Sequence, residues 1–445
     1  EVDIAGITMP VTKHNYIVRD ISVLAAVLRE AFEVAISGRP GPVLVDIPKD
    51  VQLASYEYSP VAKSAPRPDP AVSEREIDAA AAAIRAAKRP YIYCGGGVVI
   101  SDAGAELAAF AEKIDAPVSS SMMGLSVVDC ENPRFLGMMG MHGRYASAKA
   151  LDECDLLIAV GTRFSDRATG DKAKFSSGRA ILHIDIDPAE ISKNISVNIS
   201  VIGNIRQALQ RLTDRLENMS HADWMREVNR LCESPLSSIE MGGGALTPQY
   251  VIEETNARMA PDELVATDVG QHQMWTTLYY RFKQARTFLT SGGLGAMGFG
   301  MGAAIGGCIA KGRKRTILFT SDGSFHMNLS ELATAVTNDL PLIVVVLNNG
   351  VLGMVRQWQT LFFEGRYSAT TLNRKTDYVK LAESFGARGG RAGTRGEFDR
   401  CIREAFESRT PYLIDCVIGM DEQVFPMIPP GKGIDDIILS IDPGA

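Results

Sequence analysis

Several things are scarce in this chain, and each scarcity removes a class of function. The seven cysteines, at 94, 130, 154, 232, 308, 401 and 416, are odd in number, scattered, and never spaced as C-x-x-C. That excludes a disulfide framework and a zinc knuckle, and it suits thiols kept in a reducing, cytosolic compartment. The six histidines show no metal-ligand spacing. Basic residues do not predominate: the net charge of −7 leaves no basis for a general nucleic-acid role. The one basic run, KGRKR at 311–315, is expected to cap a helix end and solvate a loop. Residues 288–310 carry no charge and are long enough to span a bilayer, but eight glycines fall among them. A buried Gly-rich loop and helix is expected there, and no membrane association. No fixed short period runs through the sequence, so it is not a solenoid.

What is present is an apolar share of 46% over 445 residues, enough for two or three domains with real cores. Residues 1–54 hold one helical pattern (23–37), the turn Gly38-Arg39-Pro40-Gly41-Pro42 and one strand (43–47), too little for an independent α/β domain. A Pro-rich linker follows at 55–72. Residues 73–218 alternate: helix 76–87, strand 91–94, helix 102–114, strands 117–120, 155–160 and 180–186, helix 205–216. A second linker is expected at 219–246, ending in Gly242-Gly243-Gly244. Residues 247–419 alternate again, with strands at 264–267, 287–290, 316–320, 342–347 and 412–417 and helices at 248–259, 329–337, 377–385 and 397–407. A Pro-rich tail, 420–445, is expected to wrap the surface. The fold class is therefore α/β, with parallel sheets flanked by helices in three layers.

Residues 316–359 carry the most chemistry. A β-rich run stops at Ser321-Asp322-Gly323-Ser324; a helix follows, with Asn328 as N-cap and Glu331 completing a capping box; a second apolar run ends at Asn348-Asn349-Gly350. This strand-helix-strand unit predicts a right-handed crossover that puts Asp322 and Asn349 at carboxyl ends of neighbouring parallel strands. One carboxylate and one amide oxygen, with no Cys or His beside them, suit Mg²⁺, which completes its octahedron with phosphate oxygens and water. Each half alone also reads as a helix cap or a tight turn. Further motifs accompany it. Gly293-Leu294-Gly295-Ala296-Met297-Gly298 matches G-x-G-x-x-G, so a nicotinamide dinucleotide site competes on pattern alone. The turn Asp268-Val269-Gly270-Gln271-His272 offers backbone and side-chain donors to anionic oxygens, with the histidine open to a purely structural role.

An Asp-Gly pair, 24 residues (324–347), then Asn-Asn resembles the signature of thiamine diphosphate (ThDP) enzymes, although Ser321 stands where the usual pattern has Gly. The continuation Gly353-Met354-Val355-Arg356-Gln357-Trp358-Gln359 is similar to the catalytic subunits of acetolactate synthases. The resemblance covers essentially the whole chain. It implies ThDP-dependent decarboxylation of pyruvate and carboligation to a second 2-keto acid, pyruvate or 2-ketobutyrate, in branched-chain amino-acid biosynthesis. It implies Mg²⁺ on Asp322, Asn349 and Val351, and ThDP against Val269, Gly270, Gln271, His272, Gly295, Asp322, Gly323, Ser324, Asn349, Val351, Leu352, Gly353 and Met354. Met297 would hold the cofactor in its bent shape.

The same resemblance implies FAD in the middle domain, although the reaction involves no net redox change. Its lining would be Arg39, Gly95, Gly96, Gly97, Ser121, Met122, Met123, Met139, Gly140, Met141, His142, Gly161, Thr162, Arg163, Arg167, Asp185, Ile186 and Asn204, the last where many members carry Asp. Arg167 would hold the carboxylate of the second keto acid, and Trp358 with Met354 would shape its pocket. The complete protein is expected to be a homodimer or tetramer, with a possible regulatory small subunit, in the cytoplasm or an organellar stroma. The glutamate that activates the cofactor in this family falls before Glu1, so these residues alone are expected to be inactive. Robust acetolactate formation on incubation with ThDP, Mg²⁺, FAD and pyruvate would refute that. The alternatives are a sister ThDP enzyme of the pyruvate oxidase or glyoxylate carboligase type, a NAD-binding dehydrogenase, and a non-catalytic flavin-binding fragment.

Overall fold

The computed structural model describes residues 2–60, 69–237 and 245–440. Two six-stranded, wholly parallel sheets dominate it. The middle sheet contains, in chain order, Pro90–Cys94, Val118–Ser120, Phe135–Met138, Leu156–Val160, Ala180–Asp185 and Ile199–Ile202. Their spatial order is third, second, first, fourth, fifth, sixth. Both faces are covered, which is why Leu156–Val160 reads as an unbroken apolar run, buried at every position. Successive residues feed opposite cores. Ile92, Ile158 and Val160 pack with Ile77, Phe110 and Leu209, whereas Tyr91, Leu157 and Ala159 pack with Leu151, Trp224 and Val228.

The C-terminal sheet contains Leu264–Thr267, Phe288–Leu289, Thr316–Ser321, Leu342–Asn348, Arg388–Ala392 and Tyr412–Val417, in the spatial order second, first, third, fourth, sixth, fifth. Its two faces again divide by alternation: Ile317, Phe319 and Val345 toward Trp275, Phe398 and Ile402; Leu318, Val344 and Val346 toward Met301, Leu332 and Tyr378. Leu125 and Met138 of the middle unit enter the first of these cores, so the two α/β units share a buried seam. Ahead of them, Ile21–Ile36 packs on a two-stranded parallel pair, His14–Ile17 with Val43–Asp46. All seven cysteines are free, and among the described residues no helix is long and apolar enough to cross a membrane.

Several sequence expectations need correction. The stretch 219–246 is not simply a linker: Ala222–Glu233 is an amphipathic helix that buries Trp224 and Val228, although 238–244 lie outside the described residues. Of the linker at 55–72, residues 61–68 also lie outside them. The tail does more than wrap the surface, because Val424 and Met427 are fully buried; 441–445 are not described. The helix expected at 329–337 is a 3₁₀ turn, Leu329–Glu331, leading into Leu332–Thr337. Its capping box does not form: the Asn328 amide donates to the Gly298 carbonyl at 3.2 Å, and Glu331 accepts from Thr334. A capping box does start Arg395–Glu407, where Thr394 and Glu397 bond reciprocally. Thr394→Ala should cost about 1 kcal/mol, seen as a lower urea midpoint at unchanged m-value.

Candidate active site

In parallel α/β sheets, ligands sit beyond the carboxyl ends of strands where the chain order reverses. In the C-terminal sheet that point lies between Leu264–Thr267 and Thr316–Ser321, neighbours whose onward connections diverge. The loops that leave these two strands are 268–272 and 321–324, both singled out by the sequence. Asp268 is buried and ties the Gly-rich loop down: its Oδ1 accepts from Gly298 N at 2.7 Å and Val269 N at 3.0 Å. Gly298 sits in the left-handed region at φ +87, which a side chain would strain, and starts helix Phe299–Ala310. Ser324 Oγ donates to Val269 O at 2.9 Å and joins the loops from the other side. Ser321 suits its position. Its φ of −126 is extended, so glycine is not required, and its Oγ accepts from Ser324 N to cap the short helix Asp322–Phe325.

Asp322 is 2% exposed, and its Oδ1 has no hydrogen-bond partner. Burial pushes its pKa up to about 6, against the opposing pull of the Arg374 guanidinium. Arg374 and Tyr378, which belong to no motif, both donate to the Asp322 carbonyl. An orphaned carboxylate oxygen calls for a cation. Asn349, 9% exposed, follows the neighbouring strand Leu342–Asn348, and its Oδ1 accepts only a 3.2 Å bond from Val351 N. Among the described residues no group of three His, Cys, Asp or Glu could hold a metal ion. The donor set thus fits a hard cation that takes few protein oxygens and completes its shell with a ligand's phosphates.

Other residues expected here fall into place unevenly. Gln271 is buried with its whole amide engaged by Asn349, Gln357 and Glu422 O, so only its backbone faces a ligand freely. Gly353 abuts that amide, and a Cβ there would strike Gln271 Oε1. His272 is buried with Nε2 unpartnered, and burial lowers its pKa to about 3, so the ring is neutral. Gly295 lies at φ +71 in a loop whose Leu294 and Met297 are 92% and 37% exposed. Gly323 leaves room for Leu352, 3.0 Å from where a Cβ would stand. The G-x-G-x-x-G loop follows Phe288–Leu289, the two-residue strand at the sheet edge, not the switch point that a dinucleotide motif serves.

The middle sheet has the strand order of dinucleotide-binding folds, with its switch between Pro90–Cys94 and Leu156–Val160. Gly95–Gly97 and Gly161 leave these strands and cross in contact. A Cβ on Gly97 would lie 2.7 Å from Gly161 Cα, and Gly161 holds φ +59. This bare backbone cradle, with the buried hydroxyl of Thr162 unpartnered next to Gly161, fits a nucleotide-bearing group; Nδ1 of the buried His142 is unpartnered too. Burial lowers the His142 pKa to about 4. Ser121 Oγ caps the turn that holds Met122 and Met123, and both sulfurs reach toward Gly292. Arg163 approaches Gly293 in the same way, so the two cradles adjoin.

Gly140, at φ +120, lets Met141 N bond Arg167 O at 2.8 Å, and Met139 is buried beside it. The Arg167 guanidinium stands 5.7 Å from the Trp358 ring, joining residues 191 positions apart that the family resemblance assigns to one pocket. Met354, one turn before Trp358, packs on the C-terminal core. Three expected flavin contacts have protein partners: Arg39 pairs with Glu190 at 2.6 Å and Asp187 at 3.3 Å, Asp185 accepts from Asp187 N, and Asn204 caps Ile205–Arg215 while donating to Asp69. Ile186 is half-buried beside them.

Comparison with known proteins agrees with this geometry. The family described as thiamine pyrophosphate enzyme, C-terminal TPP binding domain, matches residues 268–416, and the central domain of the same enzymes matches 77–212. The chain is 42% identical to the acetolactate synthase large subunit of Corynebacterium glutamicum, over 98% of this chain and 72% of that one. It is 38% identical to the acetolactate synthase isozyme 2 large subunit of Escherichia coli K12, over 98% and 79%. It is 39% identical to a probable acetolactate synthase large subunit of Methanocaldococcus jannaschii, over 99% and 77%. With two ThDP-enzyme domains in register and relatives of this kind along nearly its whole length, the chain belongs to the acetolactate synthase large-subunit family of ThDP-dependent enzymes.

Proposed function

We propose that the chain takes pyruvate as donor and pyruvate or 2-ketobutyrate as acceptor, with Mg²⁺ and FAD as further cofactors. The observation that carries this reading is the Arg167–Trp358 pair, a cation against an aromatic wall, with Trp358 on the helix Gly353–Phe362 that follows the Asn349 turn. Asp322 Oδ1, Asn349 Oδ1 and the Val351 carbonyl would hold Mg²⁺, and the backbone of Val269, Gly270 and Gln271 with Ser324 would line the diphosphate. The cation would offset the charge whose burial raises the Asp322 pKa. When bound, ThDP supplies the electron sink for decarboxylation and for transfer of the two-carbon unit. The chain's own part is positioning. Arg167, well exposed, offers a planar fork to the acceptor carboxylate, and Trp358 and Met354 wall off its alkyl group. FAD would lie along Gly95–Gly97, Met123, Met141 and Gly161, with a structural role. The exposed Leu294, Phe299 and Met327 near the Gly-rich loop support a homo-oligomer that covers them. A regulatory small subunit would suit relatives that are named large subunits.

The reading is tested by product identity. Any turnover of pyruvate should release 2-acetolactate; acetate or acetyl phosphate, or condensation of glyoxylate alone, would assign the chain to a sister enzyme. Trp358→Leu should change the preference between 2-ketobutyrate and pyruvate about tenfold in a competition assay, the scale at which a pocket discriminates one methylene. An unchanged ratio would remove Trp358 from the acceptor pocket.

A further inference from the structure

A chain of three buried amides runs from the C-terminal tail to Asn349. Gln357, 0% exposed, pairs with the backbone of Val424 in both directions: its Oε1 accepts from Val424 N at 2.9 Å, and its Nε2 donates to Val424 O at 3.0 Å. A backbone N–H cannot accept and a carbonyl cannot donate, so this amide has one permitted orientation. Its oxygen therefore faces Gln271, whose Nε2 donates to it at 3.0 Å and to the Glu422 carbonyl at 2.7 Å. Both Gln271 hydrogens are then used, and its Oε1 is left facing Asn349, which must answer with Nδ2, at 3.4 Å. Asn349 Oδ1 is thereby turned to the opposite side, toward Val351 N.

We propose that Gln357 is a positioning residue for the metal site: through Gln271 it fixes which end of the Asn349 amide is presented to the cation. This rests on the Mg²⁺ reading above. The physical point is that an amide carries a donor and an acceptor of nearly equal shape, and only the acceptor binds a cation. Removing the Gln357 oxygen leaves Gln271 held by Glu422 O alone. Gln271 then keeps one anchor, the Glu422 carbonyl, and Asn349 keeps one, the Val351 N–H, so the relay loosens and the wrong end of Asn349 meets the metal more often. The register of residues 422–424 is read out at the cation without any tail residue touching it.

The test is equilibrium dialysis of ThDP against the full chain across a Mg²⁺ titration, with folding checked by circular dichroism. Gln357→Met should raise the Mg²⁺ needed for half-saturation about tenfold, the cost of losing an outer partner of a metal ligand. Asn349→Asp makes the two ends of the ligand equivalent, so Gln357→Met in that background should change the requirement by less than about twofold. An equal loss in both backgrounds would mean that Gln357 only packs the fold, and no loss in either would overturn the relay. If Gln357→Met does not fold, Gln271→Met breaks the same relay one step nearer the metal and should raise the Mg²⁺ requirement about tenfold, but by less than about twofold in the Asn349→Asp background; an equal loss in both backgrounds overturns the proposal. A wild-type chain that binds ThDP without Mg²⁺ dependence would sink the metal reading itself, a separate outcome.

Discussion

Asp322→Asn is expected to weaken Mg²⁺-supported ThDP binding by about 100-fold, or about 2.7 kcal/mol, while making the metal-free protein more stable. The two effects have one cause. Asp322 Oδ1 is buried without a partner, and its carboxylate is held in a place that raises its pKa to about 6. A buried charge lacking hydrogen bonds costs folding free energy, and an amide in the same space costs less. The gain should be about 1 kcal/mol, tempered by the loss of attraction to Arg374, and read from the urea midpoint in chelator. Binding would fall because a neutral amide replaces the carboxylate whose free oxygen the site offers a hard cation. Lower stability in chelator together with unchanged ThDP affinity would mean that Asp322 is a structural cap and no ligand.

Gly97→Ala is the second large effect. The added methyl carbon would lie 2.7 Å from Gly161 Cα and 3.1 Å from Gly161 O, contacts with backbone that cannot rotate away. Gly161 cannot retreat easily, because its own φ of +59 fixes the crossing and Gly97 Cα lies 2.7 Å from where its Cβ would be. The two loops must part at the switch point of the middle sheet. Overpacking of this kind costs about 1–3 kcal/mol. Because the parted loops are the proposed flavin cradle, FAD retained after desalting should fall at least about tenfold. Gly396→Ala is the control: the same change on a helix with nothing within 4 Å, expected to leave flavin content unchanged. Wild-type flavin content and stability in Gly97→Ala would show that the crossing tolerates a methyl group and that FAD does not depend on it.

Central strands were legible, and of the edge strands of the two six-stranded sheets only Phe288–Leu289, inside the expected 287–290, was. Leu156–Val160 and Leu342–Asn348 are buried on both faces, so their sequences are apolar throughout and announce themselves. Phe135–Met138, Ile199–Ile202 and Arg388–Ala392 lie at sheet edges; they are short or glycine-containing and were missed, as was the paired strand His14–Ile17. The helix Ala222–Glu233 falls in the expected linker because what anchors it is Trp224, whose indole donates to Pro90 O at 3.0 Å, a partner distant in sequence. The failed capping box at Asn328 has a similar cause. Its amide is drawn to Gly298 on another loop, and no local pattern encodes that competition.

By itself the sequence determined the α/β alternation and the family. Asp322, Asn349 and the 353–359 segment are close-range motifs whose residue types state their chemistry. Only the tertiary structure decided how these residues are held. It left Asp322 Oδ1 without a partner, turned the Gln271 amide inward toward Gln357 and Asn349, set Arg167 against Trp358, and made the tail a buried strut. Each of these depends on contacts between residues tens to hundreds of positions apart. Burial and amide orientation are properties of such contacts, and composition and spacing carry no record of them.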